Sequence, residues 1–490
     1  MTGSQEGHPS NNSRRILLSM MFVAAAAAIR CFHLESQGLW NDEMFSFEVA
    51  NLPLGEIQSS LIAHFHHPPL FFYLLHFVLL IFGQHAWALR FIPAASGSLT
   101  VGLVYYCSSK LLDDRAGITA GLLCLVAPFH LAYSQEGRPY ALAGLLALMS
   151  YWSLLLVVRE QKIRWMMCYV LASIALLTTH HWGIFVLASE VVFIMLFARY
   201  SVDLRKKFIL MWIVVGILYL PEAVGLFEQS TTHDRAGWFW VDRPDAKELL
   251  DLGLAYSGTY FKMASSVFDS PLIVKAVGGA AMAILCCGLV FAAAGRAAST
   301  SVRAAVVVLC GTLGIPLAIS FVRPEIFLWY RYTVIVFPLF CLGAGALASA
   351  SRWKAVMNIA VSVLVLLGLY GSVRYFSWSK SNVKDVAASV ERAVDGGVRT
   401  IIRPKYFAPM LNYYYKGNAC QLDEAYLDSP LGSIVDTTSS FVYVSLDVPN
   451  EIRDHMDQHF DKVAENRFPG EAHMGMVVGV YRQKSIHDSP

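Results

Sequence analysis

Apolar runs alternate with short polar stretches over most of the chain, at about 91–107, 116–133, 139–158, 165–179, 182–198, 208–227, 271–294, 304–322, 332–350 and 355–375. Runs of this kind are read as membrane-spanning helices. An earlier run, Ile16 to Ile29, follows Arg14-Arg15 and reads as an uncleaved first span. The competing reading is a cleaved signal peptide, because the run is short and Ala24 to Ala28 contains an A-x-A site. With the first span included, the pattern predicts about 11 transmembrane helices. One more run, Leu70 to Phe82, is shorter than the ~17 residues a span requires. It is expected to be a re-entrant or juxtamembrane helix in the first external loop.

Parity tests that expectation. If Leu70 to Phe82 does not cross, five basic linkers fall on the same side as Arg14-Arg15: Lys110 to Arg115, Arg159 to Arg164, Arg199 to Lys207, Arg296 to Arg303 and Arg352 to Lys354. The positive-inside rule makes that side the cytoplasm. Asp42-Glu43, His66-His67, Ser134 to Arg138, His180-His181, the loop 228–270 and Arg323 to Arg331 then all face outward.

Beyond Phe376 the apolar runs stop. Ser381 can cap a helix ending near Gly396-Gly397, and Arg399 to Arg403, Phe441 to Leu446 and Met474 to Tyr481 read as short strands. The chain therefore divides into a cytoplasmic tail over 1–15, a membrane domain over 16–376 and a small extracytoplasmic α/β domain over 377–490. Tyr413-Tyr414-Tyr415 in that last domain suits either sugar binding or packing against its own sheet or the membrane surface.

Composition agrees. At 56% hydrophobic and 15% charged over 490 residues, the chain has more apolar surface than a soluble protein can bury, which excludes a soluble enzyme. The net charge of +2 is spread over linkers instead of one face, so no nucleic-acid partner is implied. Of nine cysteines only Cys420 lies in the polar C-terminal region, so neither a disulfide framework nor a metal-type spacing is present.

The polar clusters carry the candidate chemistry. Leu39-Trp40-Asn41-Asp42-Glu43-Met44-Phe45-Ser46 sets two carboxylates just after the first span, where an acidic pair is costly unless it has a task. Either one acts as general base on an acceptor hydroxyl, or the pair caps a juxtamembrane helix. His66-His67-Pro68-Pro69-Leu70 reads as a structural turn whose histidines can donate to a phosphate or sugar. In Ser134-Gln135-Glu136-Gly137-Arg138-Pro139-Tyr140, Arg138 suits a phosphate, and Glu136 either orients it or merely closes the loop with it. His180-His181-Trp182 and Trp329-Tyr330-Arg331-Tyr332 close and open spans, where aromatic anchoring and snorkelling compete with ligand binding. The loop holding His233, Asp234, Arg235, Trp238, Phe239, Trp240 and Tyr260 suits a substrate cover or an amphipathic helix on the bilayer.

The acidic pair after span one, the His-Pro-Pro-Leu helix start, the Tyr-Ser-Gln-Glu-Gly-Arg-Pro-Tyr segment, the late Arg-Tyr and the α/β tail together resemble the GT-C glycosyltransferases. The similarity is to the bacterial branch near the protein O-mannosyltransferases, the lipid A aminoarabinose transferases and the rhizobial galacturonosyltransferases. It covers residues 14 to about 376 well and the tail loosely. His67 stands where some relatives place a basic residue before the Pro-Pro. The resemblance implies a polytopic membrane enzyme of GT-C type in the bacterial cytoplasmic (inner) membrane. Its activity would be an inverting transfer of one sugar from a polyprenyl-phosphate-linked donor to an extracytoplasmic lipid, polysaccharide or protein hydroxyl, without a metal cofactor. By carry-over Asp42 is the base candidate and Glu43 the second, while His66, His67, Arg138 and Arg331 line the donor phosphate site. Gln135, Glu136, Tyr140, His180, His181 and Tyr330 complete the expected donor and substrate contacts. Two alternatives stand beside it: an inactive relative that binds lipid-linked sugar, and a secondary transporter. A transporter should show paired halves and broken helices, and no internal repeat is visible.

Overall fold

The computed structural model describes residues 9–63, 67–197, 202–232, 243–263, 266–295, 299–323, 326–351, 353–378, 381–393, 399–403, 407–415, 440–445, 460–468 and 476–483. They fall into two compact units. One comprises Met1–Leu34, Ser46–Phe261 and Phe268–Ser377, and the other Glu35–Phe45, Lys262–Val267 and Trp378–Pro490.

The first unit is helical. Among the described residues seven helices are long and apolar enough to cross a membrane: Ala86–Leu111, Tyr140–Glu160, Val202–Phe227, Leu272–Ala294, Thr300–Ser320, Trp329–Ser349 and Lys354–Tyr375. The expected span over 116–133 is broken, since Asp114–Val126 and Pro128–Ser134 meet at 62°. Proline explains this, because Pro128 has no N–H to continue the ladder and is accommodated at the first position of a new helix. The other expected spans outside that group are the first helix, Pro9–Cys31, whose opening turns are polar, and the short helices Ile163–Leu177 and Gly183–Leu196.

Hydrogen bonds sort the ends of these helices into two sets. At one end Arg15 Nε meets Asp114 Oδ1 at 2.6 Å, Lys207 Nζ reaches Gln161 Oε1 at 3.1 Å, Arg159 Nη2 reaches Ser301 Oγ at 3.2 Å, and Ser349 donates to Asp113. The described residues of the basic linkers thus share one end of the bundle. At the other end Arg90 Nη1 donates to Leu34 O (2.8 Å), Leu70 N to Thr178 O (2.9 Å) and Trp182 Nε1 to Ile326 O (3.0 Å). The helix Leu70–Phe82 is bonded there on both sides, because Gln84, just past its C-terminus, donates to Asn51 Oδ1 at 2.8 Å. Between the ends, the fully buried Glu190 accepts from Ser150 Oγ at 3.0 Å and Tyr169 OH at 2.9 Å, and Trp212 Nε1 donates to Tyr169 OH at 3.1 Å. The carboxyl group joins three helices and the Tyr169 hydroxyl adds a fourth, which satisfies the need of a buried polar group for partners.

The second unit carries a four-stranded mixed sheet. Arg399–Arg403 pairs in parallel with Ser440–Ser445, which pairs antiparallel with Met476–Gln483, which pairs antiparallel with Phe460–Phe468. The helix Val383–Ala393 buries Val383, Val386, Ala387 and Val390, an i, i+3, i+4, i+7 stripe. Its start is capped by Ser381, whose Oγ accepts from Val383 N at 3.4 Å.

Candidate active site

The break at Pro128 determines how the polar segment is presented. The helix Pro128–Ser134 ends where Gln135 N donates to Leu131 O, and the next helix starts at Tyr140 after Pro139. The turn between them is almost wholly buried, with Ser134 and Glu136 0% exposed and Arg138 6%. Gln135 Nε2 donates to the carbonyls of Arg30 and Phe32, both at 2.8 Å, tying the turn to the end of the first helix. Arg30, itself fully buried, donates through Nη2 to His130 Nδ1 (2.9 Å) and through Nε to Ser134 Oγ (3.3 Å). Neither Arg30 nor His130 stood out in the sequence, although an arginine ending an apolar run was the available signal. Gly137 is required here, because a Cβ would lie 2.6 Å from Leu89 Cγ, and Leu89 is fully buried.

This framework holds Arg138, which donates through Nη1 to Ser46 Oγ at 3.1 Å. Ser46 belongs to the helix Asn41–Ala50, whose first turn carries Asp42 and Glu43. Acidic side chains in a first turn complement the partial positive charge of a helix N-terminus. Asp42 is half-buried and Glu43 fully buried.

Beside Arg138 lies an aromatic cluster. The Tyr140 ring is 5.3 Å from Tyr133, 5.6 Å from His180 and 6.2 Å from Tyr332, and His180 is 5.0 Å from Tyr332. Tyr133 OH donates to the carbonyl of Tyr330, and the Arg331 guanidinium lies 5.5 Å from the Tyr330 ring centroid. Desolvation, with His181 and Arg138 nearby, pushes His180 down to about 3. Its Nδ1 accepts from Trp182 N at 3.1 Å, so the neutral ring carries its proton on Nε2. His180 is thus a neutral hydrogen-bond donor at physiological pH.

The structure brings together Gln135, Glu136, Arg138, Tyr140, His180, Tyr330 and Arg331, and adds Ser46 and Tyr332. His181 turns elsewhere, its Nδ1 lying 3.2 Å from Tyr219 OH on the Val202–Thr232 helix. The His67 ring lies 6.0 Å from that of Phe72, tilted to it, at the start of the helix bonded to Thr178. His66 and residues 233–242 of the expected cover lie outside the described residues.

These features define a multi-pass membrane protein with a buried, arginine-bearing site at one end of its bundle. Residues 66–224 match the family model described as dolichyl-phosphate-mannose-protein mannosyltransferase. The fold is similar to that of ArnT from Cupriavidus metallidurans in the apo state, with a TM-score of 0.59 at 14% identity, over 94% of this chain and 97% of that one. It is also similar to the archaeal oligosaccharyltransferase AglB from Archaeoglobus fulgidus, solved with an inhibitory peptide and a dolichol-phosphate. That match has a TM-score of 0.50 at 13% identity, over 96% of this chain and 75% of the other. No curated protein sequence matches. The family match over residues 66–224 and the fold shared with ArnT agree with the resemblance that the motifs carry.

Proposed function

We propose that this protein moves a single sugar, with inversion, from a polyprenyl-phosphate-linked donor to a hydroxyl of an extracytoplasmic lipid, glycan or protein, in the bacterial inner membrane. The observation that carries the reading is the buried Ser134–Arg138 turn, which sits within the matched stretch 66–224 and aims a guanidinium held by Ser46. The dolichol-phosphate in complex with AglB supports a lipid phosphate as leaving group.

In the reaction the acceptor oxygen attacks C1 of the sugar from the face opposite the phosphate, and the C1–O bond to the lipid phosphate breaks. Asp42 takes the hydroxyl proton, with Glu43 as the second candidate. The polyprenyl phosphate departs with the bonding pair, and Arg138 and Arg331 meet its growing negative charge. Fixed cations in a site shielded from water stabilise such a charge far better than solvent does. His180, as a neutral donor, can hydrogen-bond a sugar or phosphate oxygen.

Because arginines supply the charge, the transfer is metal-independent. Purified protein given polyprenyl-phosphate sugars and envelope acceptors should form product in the presence of chelator, and Arg138→Ala should lose ~10²-fold or more. Abolition by chelator with rescue by Mn²⁺ or Mg²⁺ would recast the carboxylates as metal ligands. Full activity of Arg138→Ala would remove the phosphate site.

A further inference from the structure

The stretch that delivers the acidic pair has its backbone bonds satisfied from far along the chain. Residues Glu35–Phe45 belong to the same compact unit as Trp378–Pro490. Within that unit Gln37 Nε2 donates to Trp378 O at 2.5 Å, and the Leu39 N–H donates to Tyr414 OH at 3.0 Å. Lys384 Nζ donates to the carbonyls of Glu35 and Ser36, and it lies 5.5 Å from the centroid of the Tyr414 ring. Gly38 lies so close to the Ser381 carbonyl that a Cβ there would be 2.8 Å from its oxygen. Directly after these anchors, the Trp40 carbonyl accepts from Met44 N at 2.9 Å, which starts the helix bearing Asp42 and Glu43.

The anchors serve a purpose beyond ordinary loop satisfaction. A segment outside helix and sheet has no hydrogen-bond ladder of its own, so its position is set by whichever side chains accept and donate to it. Here those side chains sit on two helices of one unit, Val383–Ala393 and Ala408–Tyr414, with Val383, Val386 and Leu411 buried. The last of these anchors is at Leu39, three positions before Asp42. A reacting group displaced by about 1 Å can cost ~10²-fold in rate, so the start of that helix is a sensitive place to apply control.

We propose that Tyr414 and Lys384 are positioning residues for the acidic pair. They clamp residues 35–39 and so set where the helix Asn41–Ala50 begins. The proposal rests on the reading of Asp42 as base.

The test uses the full chain and two variants. Tyr414→Phe removes only the hydroxyl and keeps the ring under Lys384. Gly38→Ala removes no functional group but pushes the segment off the Ser381 carbonyl. Hydrogen exchange should show the Leu39 amide opening about fivefold faster in Tyr414→Phe, the loss expected for one hydrogen bond. Exchange in the strands Ser440–Ser445 and Met476–Gln483 should stay unchanged, which shows that the unit remains folded. In both variants kcat should fall at least fivefold while the donor KM stays within twofold, and Tyr414→Phe should have no further effect in an Asp42→Asn background. Wild-type kcat in both variants, unchanged exchange at Leu39, or additive losses with Asp42→Asn would each overturn the clamp. Asp42→Asn turning over at the wild-type rate would instead overturn the base assignment, and the clamp on Asp42 with it.

Discussion

Asp42 and Glu43 are neighbours on a helix, and neighbours on a helix point about 100° apart, so one hydroxyl cannot sit equally before both. Their surroundings differ, for Asp42 is half-buried while Glu43 has no exposed surface. An acceptor arriving from outside the protein can reach the first more readily than the second. Asp42→Asn is therefore expected to lose ~10²–10⁴ in kcat with the fold and donor binding intact, and Glu43→Gln to lose less. Equal losses, read from steady-state kinetics of both variants, would point to a shared site in which neither acts alone. His180 gives a second expectation at this scale. In the unfolded chain it binds a proton near 6.5, whereas in the folded protein it does so only at about 3. Between those values the unfolded state holds more protons, so the stability due to neutral His180 is complete above about pH 6.5 and is lost as pH falls toward 3. The thermal midpoint in detergent should drop over that window, and His180→Asn should flatten part of the drop. An identical pH profile in wild type and variant would show that some other group carries it.

At the scale of elements, the broken helix at Pro128 and the glycine in its turn work as one device. The break lets Gln135 reach back to Arg30 and Phe32, and Gly137 lets the turn lie against Leu89. Gly137→Ala should destabilise the protein by about 1–3 kcal/mol, the usual cost of overpacking, and should lower transfer activity. Leu89→Ala added to it should restore part of the activity, and no recovery in that double variant would mean that the strain lies in the backbone of the turn. The apolar runs themselves were readable because each buries or exposes a continuous hydrophobic surface, and the bounds of Leu70–Phe82 were evident from composition alone. The bend was not, since Pro128 sits inside an unbroken apolar run and hydropathy has no term for a missing N–H. The strand Phe460–Phe468 escaped for a different reason. It is an edge strand in which Phe460 is buried and the next four residues are exposed, and a register shift between Lys462 and Ala464 disrupts the period of two. Among site residues, Arg138 and His180 were visible as polar interruptions of apolar sequence. Ser46 as the partner of Arg138 was not, because a serine on a mixed helix acquires that role only through tertiary packing 92 positions away.

For the whole molecule, the clustering of basic linkers at one end of the bundle and polar motifs at the other makes a topology expectation. A reporter active only outside the cytoplasm should work when fused after Asn412 and fail when fused near Asp203, and the reverse pattern would sink the external active site. The hydrogen bond between Leu39 and Tyr414 has one more consequence, which concerns the order in which the protein is made. It spans 375 positions. At roughly 5–20 residues per second of synthesis, the acidic pair leaves the ribosome about 20–75 s before the tyrosine that receives it. A chain still being translated can hold its early helices in the bilayer, yet the approach to its carboxylates stays unanchored until Tyr414 has emerged, ahead of the strands Ser440–Ser445, Phe460–Phe468 and Met476–Gln483. Synthesis past Tyr414 then becomes the signal that seats the acidic pair, and a product terminated before it would lie in the membrane with its carboxylates unseated.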